Sequence, residues 1–415
     1  MRQNGDGSDA RTDRRSGGGQ TETQVITAQP ELDSLVAQAR REGRFGFDTE
    51  FVMEDRYEPE VCLVQVAVER RVGLIDPFAA IDLKPLWSLV ADPDVQTIVH
   101  AGQEDLALCV QHTGKAPRNV FDVQIAAGLV GLEYPLSLQK LVQSVLHIRL
   151  HKAKTLTDWR RRPLSDSQLR YGAEDVMHLP ALCDALSTRL VQRNRVEWAT
   201  EEFAAFENMS IYGRVEEEKL WRLKGTSTMD GRQLAVVRSV LHWRDQLAER
   251  LNRPVRGVLK DHLLVEIARL GLASAAEIRD LRGLNLSDRN LHELAQVVEA
   301  AMASPPEQWP TPKPREQEPP REEVLIALAT AVIRSYCLEH GLAYGQVATK
   351  KMLRDLIRHR TVGLPGGADE VGLLHGWRAQ TVGSLLDDVF AGRRIVRVDR
   401  AGKNLTVHVG GQASG

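Results

Sequence analysis

At 415 residues the chain is long enough for two or three domains of ordinary size, each able to bury its own core. An apolar fraction of 42% and a charged fraction of 27% fit a folded, soluble protein and exclude one that is disordered throughout. Lys and Arg (54) nearly balance Asp and Glu (56), and the net charge of -2 excludes bulk attraction to nucleic acid, so any basic surface has to be local. Cys62, Cys109, Cys183 and Cys337 lie far apart with no CxxC pair, which argues against a zinc site or a disulfide framework and fits a reducing cytosol. The first residues, with Asp6, Asp9 and Asp13, lack the apolar core of a signal peptide, and no later run reaches the roughly 18 apolar residues of a membrane span. A cytoplasmic location without a membrane partner is the expectation.

Residues 1–22, rich in Gly, Asp, Arg, Ser and Gln, read as a disordered tail. From residue 23 to 212 short apolar runs alternate with helical patterns: Val25-Ile26, a helix around Leu32 to Ala39, then Arg44 to Phe51, Val61 to Val68, Val72 to Asp76 and Ile98-Val99. That alternation predicts an α/β domain with a mixed sheet. A helix opens near Asp105, and after about residue 120 helical spacing takes over. Residues 213–302 read as all helical: Val236, Val240, Trp243, Leu247 and Leu251 form an apolar stripe, and Ser274 with Glu277 has capping-box spacing. Seven prolines between Pro305 and Pro320 predict a stiff linker over 303–320 that excludes a helix. A third, mostly helical unit over 321–410 is expected to hold helices at Val324 to Leu338 and Lys350 to Arg360, then strands at Ile395 to Val398 and Leu405 to Val409.

Side chains alternate across a strand, so in Phe47-Asp48-Thr49-Glu50-Phe51 the two acids share one face. A hard divalent cation takes oxygen ligands and keeps positions open for phosphate and water. Asp105 stands in the first turn of a helix after His100-Ala101-Gly102, a common place for an acid on electrostatic grounds alone, and His100 is assigned no catalytic role. Tyr171 and Asp175, four apart, share a face of a helix whose start is marked by Ser165 and Gln168. Taken singly, each element is better explained by solvated acids or a packed tyrosine.

Together, and in this order, the three elements resemble the DEDD superfamily of 3′→5′ exonucleases, in the subclass with a tyrosine in its last motif, and within it the ribonuclease D family. Cys62-Leu63-Val64-Gln65-Val66-Ala67, Leu74-Ile75-Asp76-Pro77, Phe121-Asp122-Val123-Gln124 and Thr157-Asp158-Trp159-Arg160 extend the likeness. The resemblance implies a ribonuclease H-like exonuclease fold in which Asp48, Glu50, Asp105 and Asp175 hold two divalent metal ions, Mg²⁺ or Mn²⁺, and Tyr171 positions the attacking water, with no other cofactor. Nucleoside 5′-monophosphates would be released from RNA 3′ ends, with tRNA precursors as the implied substrate. Leu220-Trp221-Arg222-Leu223-Lys224-Gly225, Trp243-Arg244-Asp245 and Leu263-Leu264-Val265 resemble the HRDC domain. By analogy, the third unit would be a diverged second copy.

Two basic stretches are the candidates for RNA contact. Between Lys219 and Lys260 there are ten Lys or Arg against three acids, with Lys224, Arg244 and Lys260 among them. Within the exonuclease, Lys152, Lys154, Arg160, Arg161 and Arg162 face a single Asp158. Such excesses suit phosphate contacts that position RNA without reading its sequence, although a solvated helical face or a protein contact fits the first as well. A DNA exonuclease of the same class would share every metal ligand, and only groups reading the 2′-hydroxyl separate the two. A catalytically silent RNA-binding scaffold is disfavoured by the complete set of four acids and tyrosine.

Overall fold

The computed structural model describes residues 21–151, 158–213, 216–312, 319–361, 371–401 and 404–411. Six strands, β1 (Glu22–Ile26), β2 (Arg44–Val52), β3 (Glu60–Val68), β4 (Arg71–Ile75), β5 (Gln96–Val99) and β6 (Val120–Asp122), form one sheet in the order β1-β4-β3-β2-β5-β6. The β2/β3 and β3/β4 pairs are antiparallel and the remaining three parallel, which is the mixed sheet the alternation predicts. β6, only three residues long, is too short to leave a periodic signal and is the strand that sequence patterning misses.

Period-two alternation in β2 sends Phe45 and Phe47 into an apolar layer with Leu32, Leu35 and Trp87, from α1 (Gln29–Glu42) and α2 (Lys84–Val90). On the opposite face Gly46 lies against the junction of α6 (Asp166–Met177) and α7 (Leu179–Gln192), where a Cβ would stand 3.0 Å from the Val176 carbonyl oxygen. The missing side chain at Gly46 therefore lets these helices settle onto the sheet two residues before Asp48. α3 (Gln103–Thr113) follows β5, α4 (Val123–Leu129) follows β6, and α5 (Leu138–Leu146) and α8 (Val196–Ala204) complete this body.

The helices α9 (Glu216–Arg222), α10 (Gly231–Leu251), α11 (Val255–Val258), α12 (Asp261–Leu270), α13 (Ala275–Arg279) and α14 (Asp288–Ala303) enclose a separate apolar core around Leu234, Val240, Trp243 and Leu264. Of the predicted stripe, Val236, Val240, Trp243 and Leu247 are buried, whereas Leu251, in the last turn of α10, faces solvent. The capping boxes at Ser165/Gln168 and Ser274/Glu277 both form. The helical domain meets the exonuclease at the β2–β3 loop. There Tyr57 packs on its core and Asn252 Oδ1 accepts the backbone N–H of Tyr57 at 3.2 Å and of Glu58 at 3.4 Å.

Proline density predicts no helix over 303–320; within that stretch Pro306–Gln308 makes one 3₁₀ turn, and Pro320 opens α15 (Pro320–His340). α16 (Tyr344–Val347), α17 (Lys350–Thr361), α18 (Gly376–Arg378) and α19 (Ser384–Phe390) follow, then the antiparallel hairpin β7 (Ile395–Ala401) and β8 (Asn404–Gly410). Among its described residues this unit shares a core with the exonuclease, unlike the α9–α14 domain: Ile333, Val347, Leu356 and Trp377 join Leu129, Leu182 and Leu186 in one apolar cluster.

Polar groups fasten the junction. Arg195, almost fully buried, donates to the carbonyls of Leu129 (2.6 Å), Gly341 (2.7 Å) and His340. Glu202 pairs with Arg378 and accepts from Trp377 Nε1 at 2.9 Å and Gln346 Nε2 at 2.8 Å, beside a stacked Trp198–Trp377 pair with centroids 4.8 Å apart. Removing one partner of this part-buried pair strands the other, so Glu202→Ala is expected to destabilise the protein by about 2 kcal/mol. The exposed Glu197→Ala on the same helix should change stability by less than about 0.5 kcal/mol. Urea unfolding followed by tryptophan fluorescence compares the two, and equal midpoints would show that the junction contributes nothing.

Candidate active site

Three elements bring the predicted residues together at one edge of β2. Strand alternation puts Asp48 and Glu50 on the α6 side of the sheet, and α6 lowers Asp175 onto the same spot from above. One carboxylate oxygen of each of Asp48, Glu50 and Asp175 lies within 4.8 Å of the other two. Asp105 arrives differently. Its helix α3 packs on the α1/α2 face through Leu106 and Cys109, and its Oδ1 accepts the hydroxyl of Thr49, which points to that other face of β2. Asp105 therefore stands beside the trio rather than within it, close enough for its charge to act on Asp48 and Glu50.

The electrostatics follow from crowding like charges away from water. Burial, then the neighbouring acids Asp105, Asp175 and Glu50, push the Asp48 carboxyl well above its usual range. Burial is likewise the first cause for the others, raising Glu50 to about 8, Asp105 to about 6 and Asp175 to about 7. Thr49 opposes the rise at Asp105, as the Tyr171 hydroxyl does at Asp175. The Tyr171 phenol is itself pushed up, by burial and then by Asp175, Glu50 and Asp48, so it stays protonated at neutral pH and acts as a hydrogen-bond donor. Its ring lies 6.0 Å from that of Trp159. All five predicted residues thus converge, and an all-oxygen donor set with excess negative charge fits a hard divalent cation.

Two supporting residues carried no sequence signal strong enough to mark them. Thr49 is on the face that alternation assigns to packing. Asp122, almost fully buried at the end of β6, caps α4 through Gln124 N–H (2.7 Å) and Ile125 N–H (3.3 Å) and accepts Gly102 N–H at 3.3 Å. It thereby fixes the turn that launches α3 and Asp105; an aspartate just ahead of a helix is the signal that could have found it. His100 is a structural histidine, its Nε2 2.8 Å from the Leu136 carbonyl oxygen.

The basic candidates divide. Lys152 and Lys154 lie outside the described residues. Arg161, Lys224 and Lys260 are exposed. Arg160 is taken up by Glu60 (2.6 Å) and Asp55 (2.9 Å). Arg162 grips both Asp76 oxygens at 2.7 Å and the Cys62 carbonyl at 2.6 Å, with its guanidinium 4.5 Å over Phe78. Arg162 is therefore a clamp on the segment leading into α6 rather than an RNA contact. Arg244 is a second correction: it is 5% exposed and held by the Leu259 carbonyl (2.9 Å) and Asp261 (2.7 Å). The ten-to-three excess shrinks in the same way, because Asp261 stands one residue beyond the counted window and Glu293 on α14 takes Arg250.

Comparison with known proteins agrees with the site. Residues 23–191 match the 3′-5′ exonuclease family and residues 233–298 the HRDC domain. The chain is 33% identical to ribonuclease D of Gluconacetobacter diazotrophicus, over 93% of this chain and 97% of the relative. It is 34% identical to ribonuclease D of Pseudomonas paraeruginosa, over 85% and 95%. The crystal structure of Escherichia coli RNase D, described as an exoribonuclease involved in structured RNA processing, superposes with a TM-score of 0.77 at 26% identity, over 89% of this chain and 99% of that one. The fold and its acidic site define a 3′–5′ exonuclease. The chain belongs to the ribonuclease D family, and it is a 3′–5′ exoribonuclease. Among the described residues, no helix is long and apolar enough to cross a membrane.

Because the folded carboxyls bind protons more tightly than unfolded ones, whose pKa values lie near 4, the metal-free fold holds more protons between about pH 4 and 8. The site's contribution to stability is then fully present below about pH 4 and lost as pH rises through the folded values. The metal-free melting temperature should fall between pH 5 and 8, and millimolar Mg²⁺ should restore most of the loss at pH 8. Calorimetric scans with EDTA or Mg²⁺ check this, and a metal-free protein most stable at pH 8 would contradict the site's electrostatics.

Proposed function

We propose that the enzyme trims 3′ ends of structured RNA, tRNA precursors among them, using two divalent ions, Mg²⁺ or Mn²⁺, held by Asp48, Glu50, Asp105 and Asp175. The observation that carries the reading is the convergence of three carboxylates within 4.8 Å of one another beside a fourth, all with raised proton affinity. When bound, the ions activate water, neutralise phosphate charge and stabilise the leaving 3′-oxygen. The chain's own residues do the rest. Tyr171, protonated and one helical turn from Asp175, orients the attacking water with its hydroxyl, while α6 holds that hydroxyl on the acid face. Arg162 and Asp76 keep the segment before α6 in place. The α9–α14 domain, assigned to residues 213–302, presents Lys224 and Lys260 for non-specific phosphate contact, and Arg161 serves the same purpose near the site. The unit over 321–410 acts as a brace for the exonuclease helices.

Asp48→Asn should abolish turnover and leave the protein folded, since it removes one charge from a repelling cluster. Tyr171→Phe keeps the ring and the four acids and should slow the chemical step by about 10²–10⁴-fold with RNA affinity nearly unchanged. Single-turnover rates on 5′-labelled RNA, read beside thermal melts, test both variants, and a Phe variant within about twofold of the parent would remove Tyr171 from the mechanism. Lys224→Ala combined with Lys260→Ala should flatten the salt dependence of binding to structured RNA by about one unit per lost phosphate contact. An unchanged slope would assign that face to something other than RNA.

A further inference from the structure

Gln65 sits in the middle of β3 directly opposite Asp48 of β2. Residues paired across an antiparallel ladder point to the same face with Cβ atoms about 4.5–5.5 Å apart, so the Gln65 carboxamide shares the face that bears Asp48. α6 closes over it at Gly172, where a Cβ would lie 3.5 Å from both Cγ and Nε2 of Gln65 and 2.9 Å from Leu63 Cδ2. The amide is thus shut between Asp48 and the turn of α6 that bears Tyr171 and Asp175. It is 0% exposed, and neither Nε2 nor Oε1 has a hydrogen-bond partner.

Its neighbours on β3, Leu63, Val64, Val66 and Ala67, are apolar and buried, so Leu or Met at position 65 would suit the core better. A buried amide left unpaired at both ends is costly, and nearly all buried polar groups in folded proteins are satisfied. Stability does not account for this residue, whereas its place beside the acidic site does.

We infer that Gln65 is a positioning residue for the Asp48 carboxylate: its amide, unpaired in the metal-free chain, would donate an N–H to that carboxylate once a cation occupies the site. The inference rests on the reading of Asp48 as a metal ligand. A neutral amide suits the task, because it orients the carboxylate without cancelling the charge the cation needs, as a Lys or Arg would. Hydrogen bonds of this kind to metal-binding side chains fix ligand orientation, and their loss typically weakens metal affinity about 10–100-fold.

The test uses the full chain as Gln65→Leu and Gln65→Met, with Asp48→Asn beside them. Mn²⁺ binding to metal-free protein is measured by electron paramagnetic resonance, together with melting temperatures, single-turnover rates at saturating enzyme and the steady-state KM for RNA. The expected result is a metal-free melting temperature equal to or above the parent's, Mn²⁺ affinity weakened about 10–100-fold, and a slower rate with unchanged KM for RNA. Parent-like Mn²⁺ affinity in either folded variant would overturn the inference. So would a lower melting temperature with unchanged affinity, which would make Gln65 a packing group that holds an internal water. Parent-like Mn²⁺ binding by Asp48→Asn would instead overturn the reading of Asp48 on which the inference rests, and the variants separate the two failures.

Discussion

Four carboxylates held close together away from bulk water repel one another, and much of the exonuclease body can be understood as the frame that keeps them there. Two arrive on one strand by period-two alternation, one on α6 from above and one on α3 from the other side of β2. Close approach is bought at Gly46 and Gly172, where a side chain would collide with α6 or with β3. Orientation comes from groups that do no chemistry: Thr49 on Asp105, Asp122 on the turn before α3, and Arg162 with Asp76 on the segment before α6. The burial and mutual repulsion that raise the proton affinity of Glu50 and Asp175 also suit the site to a divalent cation. Protons and metal therefore compete for the same oxygens.

Positive charge is organised on a different principle. A near-neutral chain has few cations to spare, and the structure commits many of them internally. Arg160, Arg162, Arg195, Arg244 and Arg378 each bind a carboxylate or a backbone carbonyl, and planar guanidinium with several fixed donors suits that use. Lysines Lys224 and Lys260 remain exposed on the helical domain. A buried ion pair needs the fixed geometry of guanidinium, whereas loose contact with a phosphate chain needs only charge, which exposed Lys224, Lys260 and Arg161 all carry.

The site was legible because Asp48, Glu50, Asp105, Tyr171 and Asp175 stand in an order that resembles a known family; strand alternation and helical spacing place the acids on shared faces but by themselves fit solvated acids or a packed tyrosine. The strands and long helices were readable from local periodicity, with the three-residue β6 as the exception. What escaped was non-local. Counting Lys and Arg in a window overstated the basic surface, because Asp261 and Glu293 neutralise part of it from outside that window. Nothing in the spacing of Glu202, Trp377 and Arg378, about 175 residues apart, announces that they meet. The unpaired state of Gln65 is invisible as well, since a glutamine within an apolar run reads as an ordinary polar interruption.

The two appended units are joined to the exonuclease by different physics. The α9–α14 domain encloses its own core around Trp243 and touches the catalytic body through Tyr57 and the Asn252 carboxamide, at the loop that follows Asp48 and Glu50. Separating it would expose Tyr57 and free two backbone N–H groups that water can satisfy. The α15–α19 unit shares one apolar cluster with α4 and α7 and adds the buried Arg195 and Glu202 networks. Separating it would expose that cluster and strand Arg195 and Arg378 together. Among the described residues, the α9–α14 helices enclose a core of their own, whereas the α15–α19 helices complete the core of the exonuclease.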